Sequence, residues 1–87
     1  MLTHRAFGHL CAARELLRDT DQPVAIRDVA REASMSPFHF IRQFHAVFGA
    51  TPHQFRMQER LDRAKYMLAL GDRSVTEVCF EVGFSSL

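Results

Sequence analysis

The chain has 87 residues, 47% of them hydrophobic and 24% charged, with a formal net charge of +1. This is the composition of one small folded domain rather than a disordered tail, and no apolar run approaches the ~20 residues a transmembrane helix needs. The near-neutral charge also lacks the basic surplus that phosphate neutralisation usually leaves, so composition alone does not suggest a nucleic-acid partner.

The opening Met1-Leu2-Thr3-His4-Arg5 has no signal-peptide apolar stretch, which points to a cytoplasmic protein. Thr3 can cap a first helix that carries Ala6, Leu10, Ala13 and Leu17 on one stripe, with Phe7 beside it. Asp19-Thr20-Asp21-Gln22-Pro23 ends that helix. Ile26, Val29, Ala30 and Ala33 recur at helical spacing and predict a short second helix. Its cap is poor: Ala25 stands where a Ser or Thr would serve, although Asp28 favours the positive helix end.

Ser34-Met35-Ser36-Pro37 is a tight break, with Ser36 as N-cap and Pro37 at the first helical position, where its missing N–H is no loss. The helix that follows runs from Pro37 to Phe48. Phe40, Phe44, Val47 and Phe48 fall on one face with Ile41 at the margin, while Phe38, Arg42 and His45 point the other way. Gly49 closes it.

Thr51-Pro52-His53-Gln54 reads as a capping box, opening a long fourth helix through Phe55, Leu61, Ala64 and Leu68 to Gly71-Asp72. Ser74-Val75-Thr76-Glu77 is a second box, opening a short fifth helix with Val75, Val78, Cys79 and Val82 inward, and Gly83-Phe84-Ser85 breaks it. Cys11 and Cys79 have no Cys or His at metal-ligand spacing and are expected as buried thiols. No segment alternates with period two, so the fold class is all-α. The expected core joins Phe40, Phe44, Phe48, Phe55 and Leu61 to Ile26, Val29 and Ala30.

One pattern occurs twice. When the chain is displaced so that Ile26 falls on Val75, then Val29, Ala30, Ala33, Ser34, Met35 and Ser36 fall on Val78, Cys79, Val82, Gly83, Phe84 and Ser85. Each copy is a short amphipathic helix with a small residue at its centre, a Gly or Ser at the turn, an apolar residue, and a Ser able to cap the next helix. The small residue permits close helix approach, the turn residue accepts unusual dihedrals and the apolar residue pins the turn. In a helix-turn-helix the helix after such a turn enters the major groove.

With Ala30, Met35-Ser36-Pro37, Phe40, Arg42, Phe44, Gly49, Thr51-Pro52, Phe55, Arg60-Leu61, Ala64, Leu68, Val78 and Gly83-Phe84-Ser85 at these spacings, the chain from Val24 onward resembles the C-terminal DNA-binding domain of the AraC/XylS family of bacterial transcription regulators. The resemblance implies a homeodomain-like three-helix unit over residues 1–50, a linker helix over 51–71, and the start of a second helix-turn-helix unit over 72–87. It also implies that the second reading helix would follow Leu87. Ser34 stands where the family usually has a turn Gly, and Ala25 where it has a better cap.

Arg42 matches the family's outward arginine, which can bond guanine bidentately or clamp a phosphate. Phe38, near the start of the same helix, can meet a thymine methyl, and Ile41 matches a position that often reads bases. His39 and His45 can donate to phosphates, and Ser36, Gln54 and Arg56 lie at helix starts that the family brings to the DNA backbone. Asp28, Glu32, Glu59, Asp62, Glu77 and Glu81 are scattered over helix surfaces. With no Gly-rich phosphate loop, nucleophile elbow or zinc spacing, neither an enzyme nor a cofactor is expected.

The function implied is sequence-specific binding of double-stranded promoter DNA by the helix at 37–48, with RNA polymerase as a further partner and no membrane. Self-association is expected through an apolar patch of Val78, Val82, Phe84 and Leu87 that a second reading helix would cover. Two other readings stand beside it. One is an interaction or decoy module without useful DNA binding, and the other a regulatory segment of a chain fused to a repair enzyme, as in some family members.

Overall fold

The structure, a computed structural model, describes residues 2–18, 24–71 and 73–82. Among these residues there are five helices and no strand: α1 His4–Arg18, α2 Ile26–Glu32, α3 Pro37–Phe48, α4 Pro52–Leu70 and α5 Val75–Val82. Gly83, Phe84, Ser85 and Leu87, the break at residues 19–23 and Asp72 lie outside the described residues.

Local chemistry places the helix ends. The Thr3 hydroxyl accepts from Ala6 N–H at 3.0 Å, satisfying one of the unpaired donors at the start of α1. Ala25 is extended and gives α2 no side-chain bond, as its methyl dictates. At α4 the capping box is reciprocal: Thr51 Oγ1 accepts from Gln54 N–H at 3.1 Å, and Gln54 Oε1 from Thr51 N–H at 2.9 Å. Ser74 and Glu77 repeat that arrangement at α5. Gly49 and Gly71 end α3 and α4 in the left-handed region, at φ 79° and 77°.

α1, α2 and α3 pack on one another, and α1 and α3 also pack on α4, whose Phe55 flanks the shared core. Their shared core is Leu10, Ala13, Leu17, Val29, Ala30, Ala33, Phe40 and Phe44, flanked by Val24, Ile26, Met35, Val47, Phe48 and Phe55. Phe44 lies at its centre, its ring centroid 5.6 Å from Phe40, 4.7 Å from Phe48 and 5.8 Å from Phe55, in tilted or edge-on arrangements that aromatic quadrupoles favour. Two arginines of α1 roof this core, Arg14 Cζ lying 4.7 Å from the Phe48 ring centroid and Arg18 Cζ 5.4 Å from that of Phe55.

Leu61, expected in this core, is instead exposed. It lies six residues beyond Phe55, about a third of a turn away from the face that Phe55 presents to Phe44. Glu59, closer to that face, meets Arg18 at 3.9 Å. Val75 is also exposed, because side chains tilt toward the helix N-terminus and that of a first residue points past the helix end. Cys11 and Cys79 are half-buried rather than buried.

α5 packs on α4 and fully buries Val78 and Val82, so two of the four residues expected to form an uncovered apolar patch already have cover. The molecule is elongated, 47 × 19 × 17 Å. No helix among the described residues is long and apolar enough to cross a membrane.

Candidate nucleic-acid interface

The joint between α2 and α3 fixes where the outer face of α3 points. Met35 N–H donates to the Ala30 carbonyl at 3.0 Å and Ser34 N–H to the Arg31 carbonyl at 2.9 Å, the two bonds of a Schellman closure. Met35 then packs against the core, and Ala30, fully buried, lets the helices approach. This closure needs a left-handed residue between Ala33 and Met35. Ser34 supplies it at φ 60°, the one non-glycine residue with positive φ among the described residues.

α3 starts immediately afterwards. Ser36 Oγ accepts from His39 N–H at 3.2 Å and Pro37 occupies the first helical position, so the hydroxyl of Ser36 is already engaged in holding the helix start. Phe40 and Phe44 anchor the inner face at zero exposure. On the outer face Phe38, Ile41, Arg42 and His45 recur at i, i+3, i+4 and i+7, a single stripe, and all four are exposed. His39 is exposed on the flank of that stripe. Phe38 is the extreme case, a phenyl ring with 71% of its surface in solvent.

Arg42 Cζ lies 5.7 Å from the Phe38 ring centroid, within the range of a cation–π contact. No carboxylate belongs to α3, and Arg42 has no ion-pair partner among the described residues. α3 is thus free of acidic charge and carries Arg42, whereas the neighbouring α2 holds Asp28 and Glu32 beside Arg27 and Arg31, and α4 holds Glu59 and Asp62 among Arg56, Arg60, Arg63 and Lys65.

The other two expected contacts stand apart from this stripe. Gln54 is exposed on the first turn of α4, but its carbonyl oxygen is committed to the capping box. Arg56 is turned inward: its Nη2 donates to the Val24 carbonyl, tying α4 to the approach of α2. Burial, and after it the charge of Arg60, pull the Arg56 guanidinium below its ordinary pKa. The Phe38–Arg42 pairing is the feature that sequence reading misses, and its signal is the four-residue spacing.

A helix-turn-helix domain family matches residues 29–87. The chain is 36% identical over 74 residues to the regulatory protein ada of Salmonella typhimurium, covering 85% of this chain and 20% of that protein. It is 37% identical over 68 residues to the bifunctional transcriptional activator/DNA repair enzyme Ada of Escherichia coli, 78% of this chain and 19% of that protein. It is 33% identical over 63 residues to the HTH-type transcriptional activator RhaS of Klebsiella pneumoniae, 72% of this chain and 23% of that protein. The chain thus spans about a fifth of the length of these relatives. No solved structure matches it.

Proposed function

The chain belongs to the AraC-type helix-turn-helix family of transcription regulators, and from that premise we propose that α3 reads the major groove of bacterial promoter DNA. The observation that carries this reading is the outer stripe of α3. Phe38, Ile41, Arg42 and His45 are exposed together, on a helix free of carboxylates whose inner face is locked by Phe40 and Phe44.

Roles follow from chemistry. Arg42 is the group able to bond guanine O6 and N7 bidentately, and Phe38 and Ile41 offer apolar surface to base edges. His39 and His45 donate to phosphates, as does the side-chain NH2 of Gln54, and Ser36 contributes by fixing the helix start. Arg56 is removed from the phosphate contacts and given to the Val24 carbonyl.

The three-part division into a first unit over 1–50, a linker helix over 51–71 and a second unit from 72 is supported by the packing, since Val78 and Val82 lie outside the core shared by α1, α2 and α3. The segment acts by binding and not by catalysis. The repair activity in the name of the Escherichia coli relative is that protein's, of which this chain matches 19%. A cytoplasmic location and a contact with RNA polymerase accompany promoter binding. Self-association through α5 would not use Val78 and Val82, which are buried, but has the exposed Val75 and Phe80 on the same helix.

Selection of duplexes from a random pool, followed by fluorescence anisotropy over a salt series, tests the proposal. Enriched duplexes should bind at least about tenfold more tightly than scrambled ones, with affinity falling as salt rises. Equal affinity for every duplex would overturn it in favour of an interaction module.

A further inference from the structure

Building on the assignment of α3 as the reading helix, we infer that Phe38 and Arg42 form one reading unit for guanine beside a base that carries a C5 methyl group, either thymine or 5-methylcytosine. Phe38 meets the methyl and also positions Arg42.

The two side chains are four residues apart, about one turn and ~6 Å along α3. Arg42 Cζ lies over the Phe38 ring, 5.7 Å from its centroid, and no carboxylate among the described residues competes for the guanidinium. A free arginine must surrender many rotamers to present its fork to a base. Contact with the ring surrenders some of them beforehand, leaving N–H groups available for guanine O6 and N7.

The ring itself then selects the neighbouring base. A phenyl group has neither donor nor acceptor, so against the amino group of cytosine or adenine it strands a polar atom, whereas against a C5 methyl it buries only apolar surface. Phe38, at 71% exposure, has no packing role that would otherwise account for an aromatic residue there. Methylation of cytosine places the same group in the major groove as thymine does. The protein should therefore bind more tightly when a cytosine at that position is methylated.

The test uses the full 87-residue chain and the duplex enriched from a random pool. At each thymine next to a guanine, uracil, cytosine or 5-methylcytosine is substituted, and 7-deazaguanine, which lacks the N7 acceptor, replaces the guanine. Uracil should weaken binding about fourfold, the worth of one buried methyl-sized group, and 5-methylcytosine should bind about fourfold better than cytosine. Phe38→Ala should level thymine and uracil. Phe38→Leu should keep the methyl preference, since leucine also offers apolar surface, but lose much of the 7-deazaguanine penalty although Arg42 is intact. Because Phe38 is exposed, neither change should disturb folding, and unchanged circular dichroism would verify this.

Uracil binding as well as thymine, or an enriched site with no such step, would overturn the methyl reading. A full 7-deazaguanine penalty in Phe38→Leu would overturn the positioning role. Failure to enrich any sequence would overturn the assignment of α3 itself and this inference with it.

Discussion

Ser34 offers the sharpest test of how the reading helix is held. A Cβ in the left-handed region costs about 1–2 kcal/mol relative to glycine, and Ser34 sits there at φ 60°. Ser34→Gly removes that cost but gives the unfolded chain more freedom, which returns about 0.5–1 kcal/mol. Among the described residues no hydrogen bond to the Ser34 side chain offsets the change, and the closing bonds from Ser34 and Met35 N–H to Arg31 and Ala30 are backbone and survive it. The net expectation is stabilisation by about 0.5–1 kcal/mol. In a domain of this size each kcal/mol moves Tm by about 4–8 °C. Urea and thermal unfolding of the parent, Ser34→Gly and Ser34→Ala would measure it, with Ser34→Ala near the parent because it keeps Cβ. Gly49→Ala runs the substitution in reverse. It meets nothing within 4 Å of the added methyl, so its cost, about 1 kcal/mol, is that of the φ 79° backbone alone. A Ser34→Ala protein more stable than Ser34→Gly would refute the backbone account.

Phe44→Ala should cost about 3–5 kcal/mol, since the ring is fully buried among Phe40, Phe48 and Phe55, and a denaturant midpoint equal to the parent's would contradict that packing. Arg42→Ala should weaken binding to an enriched duplex by about 1–3 kcal/mol and relax preference at one base pair, read by anisotropy on point-substituted duplexes; uniform weakening across sequences would make Arg42 a phosphate contact instead. Arg56→Ala should lower folding stability by about 1–2 kcal/mol through loss of the charged hydrogen bond to Val24, and leave the salt slope of DNA binding unchanged. A slope smaller by about one would return Arg56 to the phosphate contacts.

Features fixed within a few residues of one another are legible in the sequence. The caps at Thr3, Ser36, Thr51 and Ser74 all form as expected, because donor and acceptor lie on one turn. The outward stripe of α3 is legible through Phe38, Arg42 and His45 for the same reason. Distance in the chain defeats the rest. Arg56 is held by a backbone carbonyl 32 residues away, and a carbonyl leaves no mark in the identity of Val24. Leu61 belongs to a helix of 19 residues that contributes only part of its length to the first core, and apolar identity does not say which part. The aromatic roofing by Arg14 and Arg18 is equally silent, since either could have been a solvated charge.

The burial of Val78 and Val82 apart from the main core has a kinetic consequence. Proteins open in cooperative pieces, and the piece with the least buried apolar surface opens first. Among the described residues α5 contributes two buried valines outside that core, while α3 shares a core of eight buried residues. Opening at the distal end can therefore come and go without disturbing the grip of Phe40 and Phe44 on α3. Amide protons of α5 should exchange with solvent well before those of α3, so the outer stripe keeps its shape while the distal end opens.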